Sequence, residues 1–189
     1  MMQHLKNYKT LYLVLAVLAG VALVLYQYPP NTIVDYIGVE NSYLAVFLIA
    51  AIGGLSSITS SVFYAAVATF SAGGANPWLL GLIGGIGIAI GDSIVFGLFY
   101  YGVQDVTRSW RDRVEKARSK INTYPRWAIY LGLFVILGVS PFPNDIVMFA
   151  LVLLGFQFIK VAPILILSGI TITTITAFLG QSVTTYLFG

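Results

Sequence analysis

A proline break divides an apolar region near the C-terminal end of the chain. Residues 139–155 read VSPFPNDIVMFALVLLG, with two prolines, an asparagine and an aspartate between apolar arms at 127–140 and 146–158. Each arm is shorter than the roughly 20 residues that a helix needs to cross a bilayer. Because proline removes a backbone donor and disfavours helix in the residue before it, the pattern predicts a chain that turns around inside a membrane.

The composition agrees with a membrane location for this break. Of the 189 residues, 58% are hydrophobic and 9% are charged, whereas a soluble domain carries about 25% charged residues. So little charge cannot cover a surface that faces water, so the sequence predicts an all-α polytopic membrane protein. The absence of cysteine and the single histidine, His4, leave no thiolate site or histidine cluster. No cofactor, metal or nucleic-acid partner is expected.

Apolar runs predict six segments in one integral membrane domain. Residues 11–28 predict a first transmembrane helix. A signal peptide is the alternative, although VLYQYPP lacks a small-x-small cleavage pattern. Residues 43–71 have a hydroxyl-rich middle and predict a re-entrant hairpin, with one long helix as the alternative. The remaining segments are a transmembrane helix at 78–103, a basic cytoplasmic segment at 104–126, a second re-entrant hairpin at 127–158 and a last span at 161–188.

The two halves of the chain share one plan. Each half reads apolar arm, polar tip, apolar arm, proline and full span, with Pro77 and Pro163 at equivalent places. Basic residues mark the cytoplasmic side of a membrane, so the N-terminus and segment 104–126 are predicted inside and the acidic loop 29–42 outside. The hairpins then enter from opposite sides. The sequence thus predicts an inverted repeat after one extra helix, with the C-terminus outside a membrane that we expect to be a prokaryotic cell membrane.

Two acidic residues, Asp92 and Asp145, fall within the predicted membrane depth. An ionisable side chain there is costly unless it is paired or neutral, which makes a functional role the default hypothesis. We expect both to handle protons or substrate, and the alternative is that they cap or join helices. The tip residues are further candidates for this pathway, with satisfaction of helix ends as the alternative role of their polar groups: Asn144, Pro141, Pro143, Ser57, Thr59 and Ser60.

Glycine and arginine form two more patterns. Gly81 and Gly85, like Gly87 and Gly91, stand four residues apart, which predicts a close approach of another helix, within the chain or in a homo-oligomer. The basic segment satisfies the positive-inside rule and also predicts an interfacial helix. Four of its arginines are expected to contact anionic lipid head groups: Arg108, Arg111, Arg113 and Arg118.

Taken together, these motifs resemble the DedA/VTT-domain (SNARE-associated) membrane protein family. The resemblance covers roughly residues 40–180 and rests on Gly91-Asp92, the basic segment, the Pro-x-Pro break at 141–143 and the arm into Phe158. It implies two facing re-entrant hairpins. It also implies phospholipid scrambling, or recycling of undecaprenyl phosphate that depends on the proton-motive force. Asp92 then matches the acid of the family's Gly-Asp pair, and residues 141–145 match its second hairpin break.

The chain departs from that family at both tips. Bacterial members carry an acid in the first tip, where this chain has hydroxyls at 56–61, and arginines around the second tip, where this chain has none after Arg126. Capture of a phosphate at the membrane midplane is therefore not carried over.

The expected function is non-enzymatic translocation with membrane lipids as partners. The first hypothesis is a lipid scramblase or lipid-carrier translocase, with proton linkage through the membrane acids. The alternative is a proton-coupled transporter of a small solute or ion. An intramembrane aspartyl protease is disfavoured, because residues 89–92 read Ala-Ile-Gly-Asp and lack the first glycine of the Gly-x-Gly-Asp motif. A scaffold role stays open.

Overall fold

The computed structural model describes residues 30–140 and 144–188, and the regular structure in these ranges is entirely helical. The prediction of an all-helical chain is confirmed for this part. The predicted first span at 11–28 and the two prolines Pro141 and Pro143 lie outside the described residues. The helices are α1 (Pro30–Ile37), α2 (Val39–Gly53), α3 (Ser57–Ala72), α4 (Pro77–Ile121), α5 (Arg126–Gly138), α6 (Asn144–Leu153) and α7 (Phe158–Phe188).

Two helices are long and apolar enough to cross a membrane, over Pro77–Gly102 in α4 and Phe158–Val183 in α7. Each stretch has 26 residues, about 39 Å at 1.5 Å per residue, against a hydrocarbon core of about 30 Å. This is compatible with a helical membrane protein. The start of α4 is fixed by the Asn76 side chain, which accepts hydrogen bonds from the backbone N–H of Trp78 at 2.9 Å and of Leu79 at 3.4 Å.

The polar continuation of α4 is part of the same helix. No break separates its apolar stretch from the basic residues that follow, and the helix runs on to Ile121. After Pro77 the next proline, the strongest helix breaker, is Pro125, so the change in polarity near residue 103 does not end the helix.

Besides the 8-residue α1, four of the described helices are too short to cross a bilayer. α2, α3, α5 and α6 contain 15, 16, 13 and 10 residues, fewer than the roughly 20 that are needed. A glycine pair, Gly53 and Gly54, ends α2. The end of α6 is a Schellman turn, in which Gly155 at φ 75° donates to Val152 O and Phe156 N–H donates to Leu151 O.

The long helices α4 and α7 form the most extensive contact, and the short helices pack around them. α2 lies on α4 and α5 lies on α7, whereas α3 lies on α7 and α6 lies on α4. The buried apolar residues fall into two clusters, one built around the first pair of short helices and one around the second. On α4 the boundary between the clusters lies between Ile88 and Ala89.

The outward face of α4 is apolar and its inward face carries glycine. Its exposed large apolar residues recur every three or four positions: Leu79, Leu82, Ile86, Ile90, Ile94 and Leu98. Contact of such an apolar stripe with water is unfavourable, whereas contact with lipid is favourable. The glycines on the inward face allow other helices to pack closely against α4.

Candidate functional site

The side chain of Asp92 is buried near the middle of the apolar stretch of α4. It is 5% exposed, and among the described residues it is the one Asp, Glu, Lys or Arg that is buried. The two apolar clusters meet one turn before it, so it lies at the junction between the two halves of the helical assembly. A buried carboxyl group needs a hydrogen-bond partner or a proton, and the neighbours of Asp92 therefore define the site.

The second polar tip supplies the hydrogen-bond partner of Asp92. Asn144, the first residue of α6, donates from its Nδ2 to Oδ2 of Asp92 at 3.5 Å, a long and weak hydrogen bond. Asp145 is partly exposed and close enough to interact electrostatically with Asp92. The fold thus brings together three of the predicted site residues, Asp92, Asn144 and Asp145, from positions 52 residues apart.

The first polar tip lies against the same turn of α4. A Cβ atom placed on Gly54 would lie 2.9 Å from the backbone nitrogen of Asp92 and 2.9 Å from Cα of Gly91. Tyr64, on α3, is also within electrostatic range of Asp92. Both breaks in the short helices therefore converge on Asp92, one through its backbone and one through the Asn144 side chain.

The hydroxyl groups of the first tip serve the end of α2. Thr59 Oγ1 lies 2.8 Å from the carbonyl oxygen of Ser56 and 3.1 Å from that of Gly53. Ser60 Oγ lies 2.8 Å from the Gly53 oxygen and 3.0 Å from the Ser56 oxygen. The last carbonyl groups of a helix lack intrahelical partners, so these contacts match the helix-end role. Ser57 is the first residue of α3, and its side chain lies outside the described residues.

Thr59→Val should weaken the first tip. Valine has the shape of threonine but cannot donate to the carbonyl groups, and we expect a loss of about 1 kcal/mol in the free energy of unfolding. Chemical unfolding of the purified protein in detergent, followed by circular dichroism, measures this change.

The matched control for that variant is Thr176→Val. Thr176 Oγ1 donates at 2.8 Å to Ile172 O within α7, where the carbonyl group already accepts a helical hydrogen bond. We expect a change below about 0.5 kcal/mol there. Equal effects of the two variants would contradict a special role of Thr59 in the turn.

The glycines of α4 contact two different helices of the same chain. A Cβ on Gly81 would overlap Thr174 on α7, and one on Gly85 would overlap the backbone of Ile170. A Cβ on Gly87 would lie 2.6 Å from Ala50 Cβ, and one on Gly91 would lie 2.6 Å from Ala51 O, both on α2. All four predicted packing glycines therefore lie at helix contacts within the chain.

The four arginines that are predicted to contact head groups all lie on α4 and differ in their surroundings. Arg118 donates from Nε to the carbonyl oxygen of Leu154 at 2.9 Å, which places its positive charge at the C-terminal end of α6. Arg113 is exposed. The side chains of Arg108 and Arg111 lie outside the described residues.

Some residues near the site were not predicted from the sequence. The contact of the Gly53-Gly54 pair with α4 follows from three-dimensional packing, and no spacing in the sequence indicates it. Tyr64 is one of 12 tyrosines, and no spacing distinguishes it from the others.

An open groove separates α5 from α6 on the outside of the assembly. Its volume is about 620 Å³. It reaches from Tyr124 at one end to Ser140 and Ile146 beside the second tip, and apolar side chains line most of its walls. The groove thus reaches from one end of the molecule to the residues that flank the second tip.

Neither metal ligation nor similarity to known proteins identifies the site. Among the described residues, no group of three or more histidine, cysteine, aspartate or glutamate side chains could hold a metal ion. No family model, curated protein or solved structure matches this chain. The described part is an all-helical assembly with two helices long and apolar enough to span a membrane, and a proposal about its function has only the site to rest on.

Proposed function

We propose that the protein is an integral membrane translocator built from two inverted repeats, each a re-entrant hairpin followed by a transmembrane helix. The first hairpin is α2 with α3, and its two ends lie together. The hydroxyl group of Tyr43, near the start of α2, accepts a hydrogen bond at 2.9 Å from the backbone N–H of Asn76, which precedes α4. This contact supports a hairpin that enters and leaves on one side.

The second hairpin is α5 with α6, and its ends lie beside the part of α4 that follows the apolar stretch. Arg118, beyond that stretch, donates to Leu154 at the end of α6. Arg126 at the start of α5 and Lys160 at the start of α7 line one pocket with Arg118. The two hairpins therefore approach Asp92 from opposite directions, which supports inverted entry.

The packing of the short helices supports the same repeat. Each first arm, α2 or α5, lies on the long helix that follows its own hairpin, whereas each second arm, α3 or α6, lies on the long helix of the other half. A two-fold axis between the halves produces this exchange. The contact of Gly54 with Gly91 on α4 has a counterpart in Gly138, whose added Cβ would lie 3.2 Å from Ser168 on α7.

The proposed substrate is a membrane lipid. The carrying observation is the convergence of both polar tips on buried Asp92, together with an apolar groove along α5 and α6 that reaches the second tip. Broken helices that meet at the midplane form sites that can face either side of a membrane. A head group would pass along the polar tips while the hydrocarbon chains follow the groove, so that neither part enters an unfavourable environment.

We also propose that the protein is related to the DedA/VTT-domain family. The substrates of that family are not carried over, because the chain departs from the family's pattern at both tips. The basic continuation of α4 would face the cytoplasm, and its arginines would contact anionic head groups there. A proton-coupled solute transporter is the second candidate. It is favoured by the closeness of a second carboxyl group, that of Asp145, to Asp92, because ionisable side chains at membrane depth mark ion and substrate pathways.

A reconstituted lipid-flipping assay tests the first candidate. Liposomes that contain the purified protein and a head-group-labelled phospholipid are exposed to a membrane-impermeant quencher, with and without a pH gradient. Wild-type protein should make the inner-leaflet label reachable. Asp92→Asn should slow this exchange by roughly tenfold, which corresponds to about 1.4 kcal/mol in the barrier.

Asp112→Asn is the matched control for this assay. Asp112 lies on the same helix, is exposed, and belongs to the polar continuation, so we expect wild-type exchange. If the inner-leaflet label stays protected with wild-type protein under both conditions, general lipid scrambling is excluded. Solute transport or transport of a specialised lipid carrier then becomes the leading explanation.

A further inference from the structure

A basic pocket lies where the ends of four helices meet. Its volume is about 310 Å³. It is formed by the end of α4, the start of α5, the turn after α6 and the start of α7, and its polar side chains are Arg118, Asn122, Arg126, Tyr130, Gln157 and Lys160. The sequence analysis placed head-group contacts along α4, whereas this pocket takes its charge from three separate helices.

The positive charge of this pocket is not neutralised by the protein. None of the residues that line it is acidic, and no ion pair joins Arg118, Arg126 or Lys160 to an acidic side chain within the described ranges. Three cations held around one cavity repel each other, and an anion between them relieves this repulsion. The pocket is therefore complementary to an anionic group.

One of the three cations is held in place by the backbone. Nε of Arg118 donates to Leu154 O at 2.9 Å, which leaves its two terminal nitrogens for a ligand. Gly155 provides the space for the guanidinium group, because an added Cβ there would lie 2.5 Å from Nη2. A fixed guanidinium group loses little conformational entropy on binding and offers paired donors to phosphate oxygens.

The basic pocket lies next to the apolar groove between α5 and α6. Ile129, Leu154 and Phe156 line both cavities. The basic pocket is polar and positively charged, whereas the neighbouring groove, of about 620 Å³, has predominantly apolar walls. A ligand that fits both parts has an anionic head and a hydrocarbon chain.

We propose that Arg118, Arg126 and Lys160 bind the phosphate of an anionic phospholipid, with one acyl chain in the groove between α5 and α6. This site deepens the proposed function, on which it rests for the idea that lipid is the substrate, and it adds a charge selection at the cytoplasmic end of the pathway. Arg126 would contact the phosphate from the start of α5, Lys160 from the start of α7, and Arg118 from α4 beside the turn after α6.

Lipid binding by the full chain in a neutral detergent tests the site without any translocation step. Native mass spectrometry would follow titrations with phosphatidic acid and with phosphatidylcholine of the same acyl chains. Wild-type protein should prefer phosphatidic acid by about tenfold or more. The double variant Arg126→Gln/Lys160→Gln should lose that preference and keep its weaker binding of phosphatidylcholine.

The matched control for charge is the double variant Lys116→Gln/Lys120→Gln. It removes two positive charges from exposed positions on α4 that do not line the pocket. We expect its preference to stay within about twofold of wild type, because exposed charges outside the cavity interact weakly with a bound head group. An equal loss in both double variants would overturn the site and indicate general electrostatic attraction.

The acyl-chain part of the site is tested by Gly132→Leu, which fills the groove. An added Cβ on Gly132 meets nothing within 4 Å, so the variant should fold while its affinity for phosphatidic acid falls about tenfold. Gly97→Leu is the control, because Gly97 has equally open surroundings and does not line this groove. Unchanged binding in Gly132→Leu would overturn the assignment of the groove.

A soluble head-group analogue separates lipid from free phosphate. Glycerol 3-phosphate carries the same phosphate without acyl chains, and we expect it to compete only at concentrations at least a hundredfold higher. Competition at equal concentration would overturn the lipid assignment in favour of a soluble phosphate. Selective phosphatidic acid binding in a protein that fails the flipping assay would support this site and contradict the proposed scramblase activity.

Discussion

Gly91→Leu should prevent α2 from packing on α4 and should reduce the free energy of unfolding by about 3 kcal/mol or more. An added Cβ on Gly91 would lie 2.6 Å from the carbonyl oxygen of Ala51 and 2.6 Å from Cα of Gly54. Both are backbone atoms, so the clash cannot be relieved by rotation of a side chain. Because Asp92 is the next residue, separation of these helices would also open the junction where the two polar tips meet.

Size-exclusion chromatography and thermal unfolding in detergent measure this effect, with Gly97→Leu as the matched control. Gly97 lies on the same helix, and an added Cβ there meets nothing within 4 Å. Leucine is a better helix former than glycine, so we expect Gly97→Leu to be as stable as wild type or slightly more stable. A monodisperse Gly91→Leu protein with wild-type thermal stability would contradict the close contact between α2 and α4.

The glycine pattern could be predicted from the sequence, but its partners could not. Glycines four residues apart predict a close helix contact. The structure has such contacts between α7 and the pair Gly81 and Gly85, and between α2 and the pair Gly87 and Gly91. The change of partner between the first two glycines and the next two depends on which helix lies on each side of α4. Periodicity along one helix carries no information about the identity of its neighbours.

The junction at Asp92 shows the same limit for the candidate site. The sequence singled out Asp92, Asn144 and Asp145 because polar residues are expensive at membrane depth. The hydrogen bond from Asn144 to Asp92 depends on the register with which α6 lies on α4. That register is set by packing across 52 residues of chain, which no local pattern encodes. The hydroxyl groups of Thr59 and Ser60 were noted as polar, and only their distances to the α2 carbonyl groups distinguish helix-end contacts from ligands.

Hydropathy predicts the position of the apolar stretch of α4 closely, but it does not predict the groove between α5 and α6. The predicted span at 78–103 and the apolar stretch Pro77–Gly102 differ by one residue at each end, because a long apolar run is strongly determined by composition. The groove exists because α5 and α6 make few direct contacts and leave apolar walls open. In water two apolar walls would be driven into contact by the hydrophobic effect, whereas in lipid they can stay apart. The sequence of each arm alone therefore does not indicate whether α5 and α6 pack against each other.

Single cysteines placed at the two ends of one hairpin should be labelled from the same side of the membrane. Cysteines at the ends of the other hairpin should be labelled from the opposite side. The chain contains no cysteine, so each introduced thiol reports on one position. For the first hairpin, Glu40→Cys and Ala72→Cys are suited, because the neighbouring contact between Tyr43 and Asn76 holds these ends together. For the second hairpin, Tyr124→Cys and Gln157→Cys are suited, because these exposed positions lie before α5 and after α6.

A membrane-impermeant maleimide applied to sealed cells and to inverted vesicles distinguishes the two faces. We expect an all-or-none difference, since the charged reagent does not cross the hydrocarbon core. Labelling of residues 40 and 72 from opposite faces would show that α2 and α3 together cross the membrane, and the inverted repeat would then be wrong even if lipid exchange were observed.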